Sequence, residues 1–460
     1  MLSDVRGEDE SFRFDSEFFR KDDINRLRQL GLLSHSSLIE LSRRIDVGYV
    51  GEMTSEYTTD ATAPKLIQTR NIDEFIPNDT DIIHISQEFH EQLRKSQIHT
   101  NDILLARSGS FGNAAIWLDK ETVNSSDIII IDVDPSKIDP CYLVAFLNSR
   151  YGRFQLDRYA SGAVQRHVNL TILERLNIAL LSEDVRSFVG SLVRQAFKTI
   201  TDSRACYRAA EDKLLKDLGF LNWSPVDGGV SVKPFSEVAN ACRIDAEYFQ
   251  PKFDELKQLL AQCELRDLGG NEGLVNIYKS IDPPSDCYGS EGVPFVRISD
   301  FSKFGIEIPD IRVSEEVCSD CRRIKKNAIL LTKDGSVGIA YKAECDLEMV
   351  TSGAILHLEV KDDSVDPDYL ALVLNSRIVR MQAERDAGGS IIQHWKPSQI
   401  EKVQIPILPR GVQHALADKV RESFRLRHES KRLLNLAKSA VEKAIEDGEE
   451  AAVKFIEEGV

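Results

Sequence analysis

A chain of 460 residues is too long for one ordinary hydrophobic core and points to two or three domains. Its 42% hydrophobic and 29% charged residues read as a soluble globular protein, and the lack of any run of about 18 apolar residues excludes a helical membrane span. The net charge of −16 falls equally on residues 1–230 and 231–460, which argues against non-specific coating of nucleic acid and for two equivalent halves.

Residues 1–12 are acidic and polar and are expected to be disordered. The start, Met1-Leu2-Ser3-Asp4, lacks the basic and apolar regions of a signal peptide, and eight cysteines without a framework fit a reducing cytoplasm. Arg13-Phe14-Asp15-Ser16-Glu17-Phe18-Phe19 then recurs as Arg243-Ile244-Asp245-Ala246-Glu247-Tyr248-Phe249, and each copy leads into a helical pattern, at 21–32 and 251–262. From 36 to 135 the chain turns to short, alternating β-branched runs such as Ile128-Ile129-Ile130-Ile131-Asp132-Val133, punctuated by Gly, Pro, Asn and Asp. The second half matches with Val293 to Ile298, Ala328 to Leu331 and Ala354 to Leu358, and Pro64 to Arg70 is a weak counterpart of the run from Pro294.

Three further blocks fix the repeat. Leu104-Leu105-Ala106-Arg107-Ser108-Gly109-Ser110-Phe111-Gly112 returns as Leu330-Leu331-Thr332-Lys333-Asp334-Gly335-Ser336-Val337-Gly338, at an offset of 226. Leu147-Asn148-Ser149-Arg150 returns as Leu374-Asn375-Ser376-Arg377, and Ser161-Gly162 with His167 returns as Gly388-Gly389 with His394, both at 227. Such ordered recurrence marks an internal duplication. Asp139-Pro140 and Asp366-Pro367 open a helix in each half, because Asp caps the first turn and Pro fits the first helical position.

Residues 182–218 carry an apolar stripe from Val185 through Leu192, Tyr207 and Leu214 to Leu218; residues 411–446 carry its partner from Leu416 through Val420, Phe424 and Leu434 to Val441 and Ala444. Narrow stripes on long helices call for another helix alongside, so the two are expected to pack on each other. Residues 222–233, with Pro225, Gly228 and Gly229, form the linker.

These blocks, in this order and twice over, resemble the specificity subunit of Type I restriction–modification systems and its counterpart in Type IIB enzymes, from about residue 13 to 446. The fold expected is α+β: two β-rich target recognition domains alternating with two long helices that pair as an antiparallel coiled coil, in a pseudo-two-fold internal repeat. The boundaries become 13–181 and 234–409 for the recognition domains, 182–221 for the first spacer helix, and 410–460 for the second helix with an acidic C-terminal tail. The resemblance implies a non-catalytic, cytoplasmic subunit that reads a bipartite site on double-stranded DNA. It also implies two methyltransferase subunits docked on the helices, restriction or translocase subunits beyond them, and S-adenosylmethionine, ATP and Mg2+ held by partners rather than by this chain. A 37-residue helix spans roughly 55 Å at about 1.5 Å per residue, against about 34 Å for one turn of DNA. Two readers can therefore sit on separate turns.

Within that frame, Arg107 and Lys333 are the first candidates for DNA contact, flanked by Ser108, Ser110, Asp334 and Ser336; the glycine loops serve equally as phosphate-approach sites or tight hairpin turns. Gln68, Arg70, Arg297 and Ser299 are candidate base readers on the variable strands. Leu192, Phe197, Tyr207, Leu214, Val420, Phe424, Leu434 and Val441 mark the partner-docking helices. Gln165-Arg166-His167 and Gln393-His394-Trp395 read as structural hinges. Asp282-Pro283-Pro284-Ser285 lacks the stacking aromatic of an amino-methyltransferase motif and reads as a turn, and Cys318-Ser319-Asp320-Cys321 falls short of a four-ligand zinc site. No cofactor loop supports a self-sufficient methyltransferase or nuclease; a duplicated interaction scaffold is the competing reading from another class.

Overall fold

The computed structural model describes residues 18–79, 81–109, 111–160, 168, 170–225, 228–389 and 393–459. The leading segment 1–12, Arg13 to Glu17 of the first opening motif, Ser110, and the first Gly–His block including Gln165, Arg166 and His167 lie outside them. The described residues form two compact units: those up to Thr201 together with those from Arg427, and Asp202–Leu426.

In the first unit, strands β1 (Ser42–Val47), β2 (Ile103–Ala106), β3 (Ala114–Ile116) and β4 (Ile128–Val133) form an antiparallel sheet in the order β1-β4-β2-β3. In the second, β5 (Val275–Tyr278), β6 (Ile329–Thr332), β7 (Ala340–Lys342) and β8 (Ile355–Val360) repeat that order as β5-β8-β6-β7. The alternation expected of these strands gives way to burial on both faces. Ile103, Leu105, Ile129 and Ile131 join the core shared with the helices, while Leu104, Ala106, Ile128 and Ile130 face a second core with Ile67 and Val123. A sheet covered on both sides requires continuous apolar runs, which explains four consecutive isoleucines.

A further sheet in each unit contains a parallel pair, Lys65–Gln68 beside Val123–Ser126 in the first, where it lies over the second core, and Val293–Val296 beside Val350–Thr351 in the other. The weakly matched segments after Pro64 and Pro294 thus hold the same structural position.

Helices α1 (Pro140–Asn148) and α4 (Pro367–Asn375) open as the Asp-Pro pairs require, with Asp139 accepting from Cys141 N–H at 2.8 Å and Asp366 from Asp368 N–H at 2.8 Å. Tyr142 and Tyr369, fully buried at offset 227, donate their hydroxyls at 2.7 Å to the carbonyls of Ala179 and Pro406. Each helix stops at the Asn-Ser pair, and a second begins at once: α2 (Arg150–Tyr159) and α5 (Arg377–Asp386). The α2 start is capped by Ser149, whose hydroxyl accepts from Tyr151 N–H at 3.3 Å.

The long helices are α3 (Glu183–Asp217) and α6 (Arg410–Glu446). In the first unit Val185, Val189, Leu192 and Ala196 share a core with Leu433, Ala437, Val441 and Ala444. In the second, Tyr207, Ala210 and Leu214 share one with Leu416, Val420 and Phe424. Numbers rise along one helix as they fall along the other, so the pair runs antiparallel. Ser430 Oγ donates to Ala196 O at 2.8 Å inside the first unit, and Ser203 Oγ to Ser423 O at 2.7 Å inside the second. Ala196 and Ser203 are the 227-offset equivalents of Ser423 and Ser430, so the two contacts are one contact made reciprocally.

This pairing corrects the partner-docking residues. Leu192, Tyr207, Leu214, Val420, Phe424 and Val441 are buried within their own units; Phe197 and Leu434 alone of the eight remain half-buried. A residue taken up by the opposite helix offers little surface to another chain. Past α6 the acidic C-terminal residues form α7 (Glu449–Gly459), anchored by buried Ala452 and Ile456. Among the described residues no helix is long and apolar enough to cross a membrane.

Candidate nucleic-acid interface

The repeated blocks are far apart in sequence; the first two meet at one loop in each unit, and in the second unit the third joins them. Strands β2 and β6 run into Arg107 and Lys333, and each returns through a hairpin to β3 or β7. Both glycines of the loop are left-handed in both copies: Gly109 and Gly112 at φ 61° and 76°, Gly335 and Gly338 at 66° and 85°. Gly112 N–H closes the turn on Ala106 O at 3.3 Å, and Gly338 N–H on Thr332 O at 2.9 Å. Turn geometry alone therefore accounts for the glycines.

The second block braces the return strand. Asn148 Nδ2 donates to Ala114 O at 2.7 Å while its Oδ1 accepts from Ala114 N–H at 3.2 Å; Asn375 does the same to Ala340 at 2.7 and 3.0 Å. A side-chain amide thus supplies the edge residue with the donor and acceptor that a neighbouring strand would offer.

Behind the cation crosses the residue after the third block in the first unit, and the block itself in the second. Val168 N–H donates to Arg107 O at 3.2 Å, and Trp395 N–H, 227 residues on, donates to Lys333 O at 2.7 Å. In the second unit Gly335 N–H also reaches Gln393 O at 2.9 Å, and Trp395 is fully buried. Of Gln393-His394-Trp395, the tryptophan is the buried brace, while Gln393 and His394, the latter 61% exposed, look outward.

The cations themselves are engaged. Arg107, 25% exposed, pairs through Nη1 with Asp127 Oδ1 at 3.0 Å and donates Nε–H to Val168 O at 3.4 Å, while Ser108 Oγ donates to Asp127 Oδ2 at 3.2 Å. Lys333, 18% exposed, pairs with Asp334, whose other oxygen meets His394 Nδ1 at 2.7 Å. Burial alone would raise the Asp334 carboxyl, but the Lys333 ammonium and the His394 ring outweigh it and hold it below the usual carboxylate range.

The strand-end candidates gather beside this loop. Gln68 and Arg297 each precede a 3₁₀ turn, Thr69–Asn71 and Ile298–Asp300, with their backbone N–H bonded to Asn71 Oδ1 at 3.1 Å and Asp300 Oδ2 at 2.9 Å. A Cβ added at Gly109 would lie 3.7 Å from Thr69, and one at Gly335 would lie 3.5 Å from Ile298, so turn and loop are neighbours in both units. Arg70 is exposed and donates to Asp81 O at 3.0 Å; Ser299 is exposed and donates to Asp300 Oδ1 at 3.0 Å. Ser336 is exposed at the loop tip.

Asp127 and Asp300 are the members that sequence reasoning missed. Asp127 carried a signal: it interrupts the run between Ser126 and Ile128, and it adopts φ 53°. The remaining motifs settle as scaffold. Asp282 Oδ1 accepts from Gly353 N–H at 2.9 Å, as a turn residue does, and Cys318 is buried in a small apolar cluster with Phe295 and Val350. Among the described residues no three His, Cys, Asp or Glu side chains gather closely enough for a metal ion.

Two copies of one α+β module, each presenting a cation on a glycine loop, define an internally duplicated protein with two equivalent sites. Residues 273–433, which contain the second loop, match the family model for the Type I restriction modification DNA specificity domain, the family that the sequence blocks resemble. No curated protein sequence matches the chain. Among solved structures, the S subunit of a Type-I restriction-modification system from M. genitalium is 13% identical, covering 92% of this chain and 95% of its own, with a TM-score of 0.37. The HsdS subunit from Thermoanaerobacter tengcongensis is 16% identical, covering 90% and 97%, with a TM-score of 0.30.

Proposed function

We propose that this chain is the DNA-sequence-specificity subunit of a restriction–modification complex, each module reading one half of a bipartite target. The observation that carries the reading is the match of residues 273–433 to a DNA specificity domain, together with the recurrence of its cation loop, Asn brace and crossing segment in the other unit. A reader of this kind needs no catalytic group of its own. Methyltransferase subunits docked on the exposed faces of α3 and α6 bring S-adenosylmethionine, and restriction or translocase subunits bring ATP and Mg2+. The acidity of the chain supports dependence on such partners, because an acidic surface by itself gains little from DNA phosphates.

Methylome sequencing of the host with the gene present and deleted tests this. Loss of one bipartite methylated motif on deletion is the expected result. An unchanged methylome in a strain whose methyltransferase subunits are expressed and active overturns it.

A further inference from the structure

The two loop cations stand at equivalent positions, yet the carboxylates that hold them do not. Ser108 corresponds to Asp334 at the offset of 226, and the strand register that pairs Ile128 with Ala106 and Ile355 with Thr332 makes Asp127 the counterpart of Ala354, at 227. The first unit places its carboxylate across the loop, at the head of β4, and the second places it next to the cation in sequence. Each carboxylate also takes a second polar partner, Ser108 Oγ in one case and His394 Nδ1 in the other. A bridge that served only to brace the module would have no need to change its source while keeping its target. What the two units share is a half-buried cation occupied by an oxyanion with a further polar partner at the rim. That is the set of contacts a DNA phosphate would make there.

We infer that Asp127 and Asp334 are specificity-determining residues that occupy the phosphate positions of the two loops and keep Arg107 and Lys333 from binding DNA of any sequence. The inference rests on the DNA-reading function proposed above. A phosphate enters only by displacing the carboxylate. Base contacts at the correct site supply the free energy for that exchange, whereas random DNA offers no such compensation. The acid thus lowers non-specific affinity more than specific affinity and widens their ratio, which is the quantity that matters against a genome of competing sites.

The test uses the full chain assembled with its methyltransferase subunits. Binding is titrated against salt on a mixed-sequence duplex and on a duplex carrying the motif lost on gene deletion. Asp127→Asn and Asp334→Asn are each expected to raise mixed-sequence affinity about three- to tenfold and to steepen the salt dependence by close to one unit of slope, one further phosphate contact. Binding to the motif duplex should change less, so the specificity ratio falls. Asp334→Ser installs the residue the first unit already carries at that position, and Asp127→Gly suits the positive φ of Asp127, so the two repeat the test in variants whose folding a thermal melt verifies. Glu316→Gln, at an exposed carboxylate of the second unit, controls for the general loss of a negative charge. Mixed-sequence affinity and slope that stay at wild-type values, or rise only as far as in the control, overturn the inference. Wild-type complex with no preference for the motif duplex, or binding that Arg107→Ala and Lys333→Ala leave intact, overturns the underlying reading instead.

Discussion

Asn375, buried at the end of α4, bonds both backbone groups of Ala340. Truncation to Ala strands a buried N–H and C=O, each costing about 1–3 kcal/mol. Asn375→Ala should therefore lose roughly 2–4 kcal/mol in urea unfolding. Gly338, held at φ 85°, should lose about 1–2 kcal/mol on replacement by Ala. His357 reports the interior differently. It lies on β8, its Nε2 is 2.8 Å from Thr351 Oγ1, its Nδ1 is buried without a hydrogen-bond partner, and burial, then the nearby Arg322 charge, lower its pKa to about 4. The unfolded chain takes up the proton first, so stability is full above the ordinary value of about 6.5 and falls as pH drops toward about 4. The loss is on the order of 3 kcal/mol. His357→Gln should flatten that part of the unfolding-versus-pH curve; an unchanged slope would place the proton uptake elsewhere.

Helices α3 and α6 hold the modules through intramolecular stripes, and this separates stability from assembly. Leu214→Ala, at a fully buried site, is expected to cost about 2–5 kcal/mol, depending on how far the cavity closes. Phe188 is 42% exposed on the same helix, and its replacement by Ala should barely alter melting. If methyltransferase subunits dock on the outer face of α3, Phe188→Ala should instead reduce their recovery in co-purification; unchanged recovery would move docking to another face. The periodicity of these helices was plain in the sequence because a buried stripe repeats every three to four residues. Their exposed faces carry no such periodicity, so the stripe residues, not the outer face, drew attention as docking sites.

For the whole molecule, duplication makes a divisible expectation. Arg107→Ala should weaken reading of one half-site and Lys333→Ala the other, seen as methylation retained on targets degenerate in one half only. Equal relaxation of both halves by either change would sink the two-reader arrangement. The acidity of the chain bears on this at the same scale: with −8 on each half, selectivity falls to a few local cations rather than to a basic surface.

The sequence by itself determined the duplication, the α+β class, the paired long helices and the helix starts at Asp139 and Asp366. These depend on local rules of periodicity and capping, and a 226- or 227-residue recurrence survives whatever the strands do. Only the tertiary structure decided that the sheets are covered on both faces, that Asn148 and Asn375 act as substitute strand edges, and that α7 packs through Ala452 and Ile456. It alone brought Asp127 to Arg107 and His394 to Asp334, 20 and 60 residues apart. Contacts between residues that distant follow from how sheets pair and loops cross. No spacing within a strand or helix encodes them.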